Sequence, residues 1–230
     1  MRPLTDHCPK PLLQAGGKPL LEWHIEALVA AGIVEIGINL AHLGQHIEQY
    51  FGNGHGLGAH LQYSWEVQAL ETAGGIRNAL PLLAPNGSQQ PFLVLNGDVH
   101  CDWNVRQAVG ICNAWPIQEP APCLAHLVLV NNPTHNAEGD FALQAHRVFD
   151  KTTSAPHYTF SGIGVYSPQL FQPLPLGQAC KLAPLLRTAM ANGKVNGELH
   201  SGCWMDIGTP ERLNELNHLL QAKTRKHHAQ

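Results

Sequence analysis

The sequence predicts an α/β domain built on a mostly parallel central sheet flanked by helices. Phe92–Leu95 and residues 124–130 are dense apolar runs of strand length, which is typical of strands buried on both faces. Amphipathic helical stretches alternate with strand-like runs through the first half of the chain. From about residue 131 onward, short β segments follow one another between polar turns, so we also expect a small antiparallel annex on the main sheet.

The first half contains the alternating elements. Apolar residues on one helical face, with Pro19 in the first turn, predict a helix that ends before Gly32. In order, we predict a helix over 19–31, a strand over 33–40, a helix over 42–51, a strand over 59–64 and a helix over 72–83. The buried strands Phe92–Leu95 and 124–130 follow.

In the second half of the chain, helices and strands no longer alternate. We predict strands over 141–143, Arg147–Phe149 and 158–166, then helices over Leu182–Ala191 and 210–222. Residues 223–230 are polar and are expected to form a disordered tail. Because no repeat and no linker-like segment interrupts the chain, residues 1–230 are expected to form one domain.

Composition excludes several classes of protein. The 230 residues include 44% hydrophobic residues, enough for a substantial core, and the formal net charge of -3 argues against a nucleic-acid-binding surface. No apolar run approaches the roughly 18 residues of a membrane span, and the N-terminus lacks the apolar core of a signal peptide. The six cysteines form no CxxC pair, so reduced thiols are expected. We therefore predict a cytoplasmic protein, a monomer, with small-molecule substrates and with neither nucleic acid nor membrane as partner.

Asp98 is the first candidate site residue. It follows the buried run FLVL, with Asn96 and Gly97 between. In open parallel sheets, ligands bind just beyond the carboxyl ends of strands, so this carboxylate would point into a ligand crevice. Alternatively, Asp98 is a turn residue that caps the following helix.

Asp206 is the second candidate site residue. It lies inside the short apolar segment CWMDIGT, where an unpaired carboxylate would be costly. A divalent metal shared with Asp98 would satisfy it, and so would a set of backbone N–H donors. The Thr209–Pro210 pair then predicts the start of a helix, with Thr209 as its cap.

Two further segments have polar groups that could meet a ligand. The ETAGG segment, which contains Glu71, Thr72 and Gly75, opens a helix with a turn whose N–H groups could face an anion or a flat base. Lys10 lies between Pro9 and Pro11, which stiffen the backbone around it. A lysine on a rigid loop can serve as a phosphate counter-charge, although an ordinary solvated lysine is the better explanation of this segment taken alone.

Taken in order, the segments RPLT, PKPLL, GGKPLLEW, ETAGG, LNGDV, SGIGVY and CWMDIGT resemble the sugar-1-phosphate nucleotidyltransferase family over essentially the whole chain. The segments LAHLVLVNNP, GDFAL, KLAPLLRTAM and WMDIGTPERL are most similar to its bacterial members that act on N-acetylmuramate 1-phosphate in peptidoglycan recycling. The resemblance implies a Rossmann-like fold of the nucleotide-diphospho-sugar transferase type. It also implies a Mg²⁺-dependent transfer in which the sugar phosphate attacks the α-phosphorus of UTP and pyrophosphate leaves.

The resemblance also implies roles for individual residues. Asp98 and Asp206 match the family's metal-binding aspartates, and Lys10 matches the lysine that contacts the phosphates. Thr72 and Gly75, together with Glu71, match the segment that binds the pyrimidine base. The positions that match the sugar-binding residues are Asn96, Gly139 and the pair Asp150 and Lys151, although the proline that usually follows this pair is Thr152 here.

The chain departs from the family pattern at its start. The family begins with a buried strand and a glycine-rich loop, G-x-G-x-R-x-x-P-x-T, whereas Met1 to Thr5 match only the last positions of that motif. Losing a central strand would leave two neighbouring strands with unpaired edges and a gap in the core. We expect a start codon assigned too late, and poor stability and weak catalysis if the chain begins at Met1. A uridylyltransferase, another hexose-1-phosphate nucleotidyltransferase and a non-catalytic sugar-nucleotide-binding module all remain open at this point.

Overall fold

The computed structural model describes residues 1–116, 122–151 and 155–227. The strands are β1 (Gln14–Ala15), β2 (Lys18–Pro19), β3 (Glu35–Leu40), β4 (His60–Trp65), β5 (Phe92–Leu95), β6 (Val99–Cys101), β7 (Ala125–Val130), β8 (Phe141–Gln144), β9 (Arg147–Phe149), β10 (His157–Tyr166), β11 (Val195–His200) and β12 (Trp204–Asp206). The α-helices are α1 (Leu20–Ala30), α2 (Gly44–Phe51), α3 (Glu71–Leu83), α4 (Arg106–Asn113), α5 (Leu182–Ala191) and α6 (Pro210–His227).

Most of these elements were predicted from periodicity, and β5, β9 and α5 have the predicted bounds. Helix α4 and strand β11 were not predicted, because each has few large apolar residues: Val109 and Ile111 in Arg106–Asn113, and Val195 and Leu199 in Val195–His200. Helix α6 was predicted to end at residue 222 but its backbone continues to His227. The last residues of the predicted tail, 228–230, lie outside the described residues.

The central sheet is mixed, so the prediction of a mostly parallel sheet is wrong. Six strands pair in the order β5-β10-β7-β11-β9-β8, and β8 also pairs with β10, which closes five of them into a barrel-like circuit. Within the described residues, only β7–β11 and the separate pair β3–β4 are parallel. Strand β10, which the sequence assigned to an annex, lies between β5 and β7 and runs antiparallel to both.

An irregularity in β10 shapes the sheet next to the site. The register with β7 shifts between Phe160 and Ile163, as expected for a β-bulge. Ser161 Oγ donates to the carbonyl oxygen of Val128 at 2.7 Å and so holds the bulge. Gly162 has a φ of 82°, and a Cβ there would lie 2.7 Å from Asn96 Nδ2. Only glycine therefore allows Asn96 to pack against this strand.

Both faces of β7 are covered, as its apolar run predicts. Leu127 and Leu129 belong to a core cluster that includes Ile76 of α3 and Leu186 of α5. Val128, which points the other way, packs in a second cluster together with residues that precede and form α4. Helices on the two faces of the sheet therefore explain why this strand is continuously apolar.

A large cavity separates β3 from β5. Within the described residues, β3 pairs only with β4 and β5 only with β10, so the facing edges of β3 and β5 are unpaired. The cavity between them has a volume of about 930 Å³ and is lined along its length by Glu35–Asn39 and Leu93–Leu95. The backbone groups along these two edges therefore face the cavity rather than a neighbouring strand.

Two further findings concern the hydropathy of the helices and the state of the cysteines. No helix in the described ranges has the length and hydropathy required to cross a membrane. All six cysteines are free, and burial raises the pKa of the Cys101 thiol to about 11.

Candidate active site

The two predicted aspartates meet in one pocket. Strands β6 and β12 pair antiparallel, with Asp206 opposite Val99, the residue that follows Asp98. The Ile207 N–H also donates to the carbonyl oxygen of Asp98 at 2.8 Å. Both side chains line a pocket of about 260 Å³. Two acids that are 108 positions apart in the sequence are therefore neighbours across a two-stranded ladder.

Each aspartate has a cationic partner. Lys10 Nζ lies 2.5 Å from Asp98 Oδ2, and Arg212 Nη1 donates to Asp206 Oδ2 at 2.8 Å. His135 Nε2 lies 3.5 Å from the same Asp206 oxygen. All these side chains are partly exposed, and the paired charges offset the cost of removing the carboxylates from water. In the described residues, side-chain cations thus hold both carboxylates. This replaces the two alternatives from the sequence, a helix cap for Asp98 and backbone N–H donors for Asp206.

The chemistry of these acids fits a Mg²⁺ ion. Carboxylate oxygens are the hard ligands that Mg²⁺ prefers, and this ion binds through one or two carboxylates and completes its coordination with water and substrate phosphates. No group of three or more potential ligands among His, Cys, Asp and Glu occurs in the described part of the chain. The pair Asp98 and Asp206 therefore suits a metal that arrives with its phosphate ligands better than a permanently bound structural ion.

Lys10 is positioned by its local backbone. Pro9 precedes a single 3₁₀ turn at Lys10–Leu12, and the Leu13 N–H donates to the Lys10 carbonyl oxygen at 3.1 Å. The ion pair with Asp98 spans 88 residues of sequence. Lys10 is thus a fixed cation at the site rather than a solvated loop lysine.

The segment predicted to bind the base lies at the larger cavity. Glu71 and Thr72 line that cavity at the start of α3. The prediction that this helix start exposes its N–H groups is only partly right, because Ala73 and Gly74 both donate to the carbonyl oxygen of Cys180 at 3.0 and 3.1 Å. These two donors hold the helix end in place and are not available to a ligand.

Gly75 lies where the backbone of α3 approaches two polar side chains. A Cβ at this position would lie 2.5 Å from Glu66 Oε1 and 2.7 Å from Asn39 Nδ2. Glu66 is itself fixed, since its Oε2 accepts the Leu70 N–H at 2.9 Å. Asn39 and Glu66 therefore form a polar wall of the larger cavity next to the predicted base-binding segment.

Asn96 joins the two cavities. It lines both the 930 Å³ cavity and the 260 Å³ pocket, and its N–H donates to the Gly162 carbonyl oxygen at 2.9 Å. The predicted base-binding residues Glu71 and Thr72 and the two aspartates thus line two cavities that share Asn96 as a wall residue.

The other predicted sugar-binding residues lie outside both cavity walls. Gly139 has a φ of 60° and packs against Asn132, which also accepts a 3.0 Å hydrogen bond from Thr159 Oγ1. Gly139 therefore supports the wall that Thr159 and Asn136 form, without lining the pocket.

Asp150 and Lys151 line neither cavity. Asp150 accepts from Arg187 Nε at 3.0 Å and from the Lys151 N–H at 2.9 Å. Desolvation is the largest single influence and raises the pKa of Asp150, but the hydrogen bonds from Lys151 and Arg187 and the positive charges of these residues together outweigh it, so the pKa lies below its usual value. Thr152, which replaces the usual proline, lies outside the described residues.

Known proteins resemble this chain over most of its length. A family model described as nucleotidyl transferase matches residues 1–223. The N-acetylmuramate alpha-1-phosphate uridylyltransferase of Neisseria meningitidis serogroup B is 46% identical over 224 residues, which cover 96% of this chain and 94% of that protein. The Caulobacter vibrioides protein of the same name is 31% identical, covering 92% of this chain and 88% of that protein.

The chain belongs to the nucleotidyl transferase family. The enzyme class predicted from the sequence motifs is therefore confirmed.

Solved structures support the fold of the family. A Bacillus anthracis structure, provisionally described as a glucose-1-phosphate thymidylyltransferase, matches with a TM-score of 0.80 at 19% identity and covers 96% of this chain and 90% of that chain. HddC from Yersinia pseudotuberculosis matches with a TM-score of 0.71 at 19% identity and covers 93% and 90%. The predicted nucleotide-diphospho-sugar transferase fold is thus confirmed, although the sheet is not mostly parallel.

Several residues of this nucleotidyltransferase pocket were missed by sequence reasoning. His135, Asn136, Thr159, Ser161 and Trp204 line the pocket, and Arg212 contacts Asp206. His135, Asn136 and Thr159 lie outside the segments that carry the family resemblance, so those segments give no signal for them. Ser161 lies within SGIGVY, and Trp204 and Arg212 lie within WMDIGTPERL.

Proposed function

We propose that this nucleotidyltransferase transfers the uridylyl group of UTP to N-acetylmuramate 1-phosphate, giving UDP-N-acetylmuramate and pyrophosphate. The observation that carries the proposal is that Asp98 and Asp206 line one pocket, which shares Asn96 with the larger cavity. The names of the two similar proteins from Neisseria and Caulobacter support the choice of sugar and nucleotide.

The arrangement of residues suggests how the substrates bind. The uracil base would lie against Thr72 and Gly75, next to the polar wall of Asn39 and Glu66. The sugar would occupy the smaller pocket among Asn136, Thr159 and Trp204. The triphosphate would then lie near Asn96 and Lys10, between the two cavities.

The reaction requires charge neutralisation and alignment. A phosphate oxygen of the sugar phosphate attacks the α-phosphorus of UTP, a new P–O bond forms, and the bond to the leaving pyrophosphate breaks. Lys10 Nζ is placed to stabilise negative charge on the transferred phosphate. Asp98 and Asp206 would hold Mg²⁺, which supplies charge neutralisation and orients the triphosphate. Asn96 is placed to orient the substrate where the two cavities meet.

The cellular setting follows from the substrates. N-acetylmuramate is a cell-wall sugar, so the reaction would belong to peptidoglycan recycling. UTP is an intracellular nucleotide, and the free cysteines are compatible with a reducing compartment. We therefore propose a cytoplasmic enzyme that acts as a monomer on small-molecule substrates.

A second candidate function is a non-catalytic sugar-nucleotide-binding module. The unpaired edges of β3 and β5 and the cavity between them favour this alternative, because a binding crevice with an open floor would position a triphosphate poorly for in-line attack. Transfer to a different hexose 1-phosphate is a variant of the first proposal.

One experiment separates these functions. Pyrophosphate release from UTP would be measured with N-acetylmuramate 1-phosphate and Mg²⁺, for this chain and for one extended upstream of Met1 by a strand and a glycine-rich loop. We expect turnover that is stronger in the extended form and requires the sugar phosphate. Nucleotide binding without pyrophosphate release in either form would instead identify a binding module, and a panel of sugar phosphates would reveal a different hexose.

A further inference from the structure

Arg212 lies beside the small pocket, in contact with Asp206 and His135, two side chains that line it. Its Nη1 donates to Asp206 at 2.8 Å and lies 2.9 Å from His135 Nε2. In the described residues, every recorded hydrogen bond of this guanidinium uses Nη1, so Nε and Nη2 keep donors for another acceptor. Because guanidinium presents its N–H groups in a planar fork, it is suited to binding a second carboxylate.

The fold holds this guanidinium in a fixed position. Arg212 is in the first turn of α6, and its backbone N–H donates to Thr209 Oγ1 at 3.3 Å. Its side chain is only 23% exposed. A Cβ on Gly208 would overlap Arg212 Nη2, so a glycine at 208 leaves the space that the guanidinium occupies.

The charges around the pocket favour this end for an anionic group. Asp98, Asp206 and His135 line the pocket. Lys10 pairs with Asp98, whereas Arg212 and His135 both contact Asp206. The other lining residues are uncharged and include Asn136, Thr159, Ser161 and Trp204.

We propose that Arg212, assisted by His135, forms a carboxylate subsite that binds the lactyl group of N-acetylmuramate 1-phosphate. This inference rests on the proposed function and deepens it. N-acetylmuramate differs from N-acetylglucosamine by a lactyl ether whose carboxylate is ionised at neutral pH. A cationic fork beside the sugar pocket would therefore favour the muramate sugar over a sugar that lacks the carboxylate.

The test compares binding of two sugar phosphates that differ only in the lactyl group. Isothermal titration calorimetry would give dissociation constants for N-acetylmuramate 1-phosphate and N-acetylglucosamine 1-phosphate, without UTP. We expect the unmodified chain to prefer the muramate sugar by about tenfold to a hundredfold, the range of a charged hydrogen-bonded contact. In Arg212→Gln this preference should fall to nearly onefold, and Arg212→Lys should keep part of it.

Arg106→Gln is the matched control, because the Arg106 guanidinium is exposed and donates to the Ala30 carbonyl oxygen away from the pocket. This variant should keep the full preference. Circular dichroism would check that each variant folds, and Arg212→Lys and His135→Gln serve if Arg212→Gln does not. An unchanged preference in the Arg212 variants, or an equal loss of affinity for both sugars, would overturn the inference, since an equal loss means that Arg212 acts on the phosphate or through Asp206.

Two experimental outcomes distinguish an error in this inference from an error in the proposed function. Pyrophosphate release with N-acetylglucosamine 1-phosphate and without any muramate preference would remove the carboxylate subsite but keep the nucleotidyltransferase. Muramate-selective binding without pyrophosphate release would support the subsite and count against catalysis.

Discussion

At the scale of single residues, the site depends on side chains that neutralise one another. Asp98 with Lys10, and Asp206 with Arg212, form two ion pairs on the two strands of one ladder. The same carboxylates would have to exchange these cations for a metal ion when the substrates bind. Such exchangeable pairs suit an active site better than a purely structural network, in which each partner would be fully buried.

Replacing either aspartate should abolish the metal-dependent reaction. In an active form of the enzyme, we expect Asp98→Ala and Asp206→Ala each to lower kcat by about a thousandfold or more, because the metal and the triphosphate lose a charged ligand. Steady-state pyrophosphate release at several Mg²⁺ concentrations measures this. Asp102→Ala is the control, since Asp102 pairs with His200 outside the pocket. Near-normal rates in either site variant would remove the metal assignment.

The buried histidine His126 predicts a pH dependence of stability. Burial lowers its pKa, and the nearby Glu198 offsets this only in part. The folded state therefore keeps the ring neutral, whereas the unfolded state binds a proton once the pH falls below about 6.5. The stabilisation is complete above that pH and is lost as the pH falls towards the lowered pKa of the folded state.

Urea unfolding at pH 7.5 and 5.5 would test this prediction. We expect His126→Gln to reduce the drop in the free energy of unfolding between the two pH values. His42→Gln, at an exposed position, should keep the drop of the unmodified chain. Equal drops in all three proteins would show that His126 does not carry this pH dependence.

At the scale of elements, the start of α6 connects stability to the site. Thr209 accepts the Arg212 N–H through its side chain, as predicted for a helix cap. We expect Thr209→Ala to lower the free energy of unfolding by about 1 kcal/mol, the usual cost of losing a cap. Urea denaturation would measure it.

Thr188→Ala provides the comparison for this cap. Thr188 is exposed in α5 and donates to the Pro184 carbonyl oxygen within its own helix. Its replacement should change the free energy of unfolding by less than about 0.5 kcal/mol. If the two threonine variants behaved alike, the capping role of Thr209 would be wrong.

At the scale of the whole molecule, the cavity between β3 and β5 is the main structural weakness. Two strands keep unpaired edges, and apolar side chains such as Ile36, Leu93 and Leu95 line open space. Unpaired edges also offer a template for aggregation. The cavity continues to the ligand path at Asn96, so the same feature should limit both stability and turnover.

A strand that fills this cavity should stabilise the protein. We expect a chain extended before Met1 by a five-residue apolar strand and a loop to be more stable, with the five strand residues contributing about 2–3 kcal/mol. For each of these residues, about 2 kcal/mol is gained by burying the apolar side chain and about 1.5 kcal/mol is lost by ordering the residue. Urea unfolding would measure the gain, and a fluorescent apolar dye should bind the extended form less. An extension of equal length made of Gly and Ser is the control, and an equal effect from both would contradict the prediction.

Local features of the sequence were sufficient for most elements and for the two aspartates. The periodicities of α1 and α5 and the apolar run of β5 are set by residues that are close in sequence. Asp98 follows shortly after β5, and Asp206 is the last residue of β12. The position of Arg212 could have been found from the WMDIGTPERL segment, but its partner His135 could not.

By itself, the sequence determined the order of most helices and strands, the two acids of the site and membership of the nucleotidyl transferase family. Tertiary structure alone decided that β10 lies between β5 and β7, that β8 closes the sheet, and that Arg212 meets both Asp206 and His135. The physical reason is the range of the contacts involved. Periodicity reflects which side of one element is buried, whereas strand pairing and ion pairs depend on segments that only the folded chain brings together.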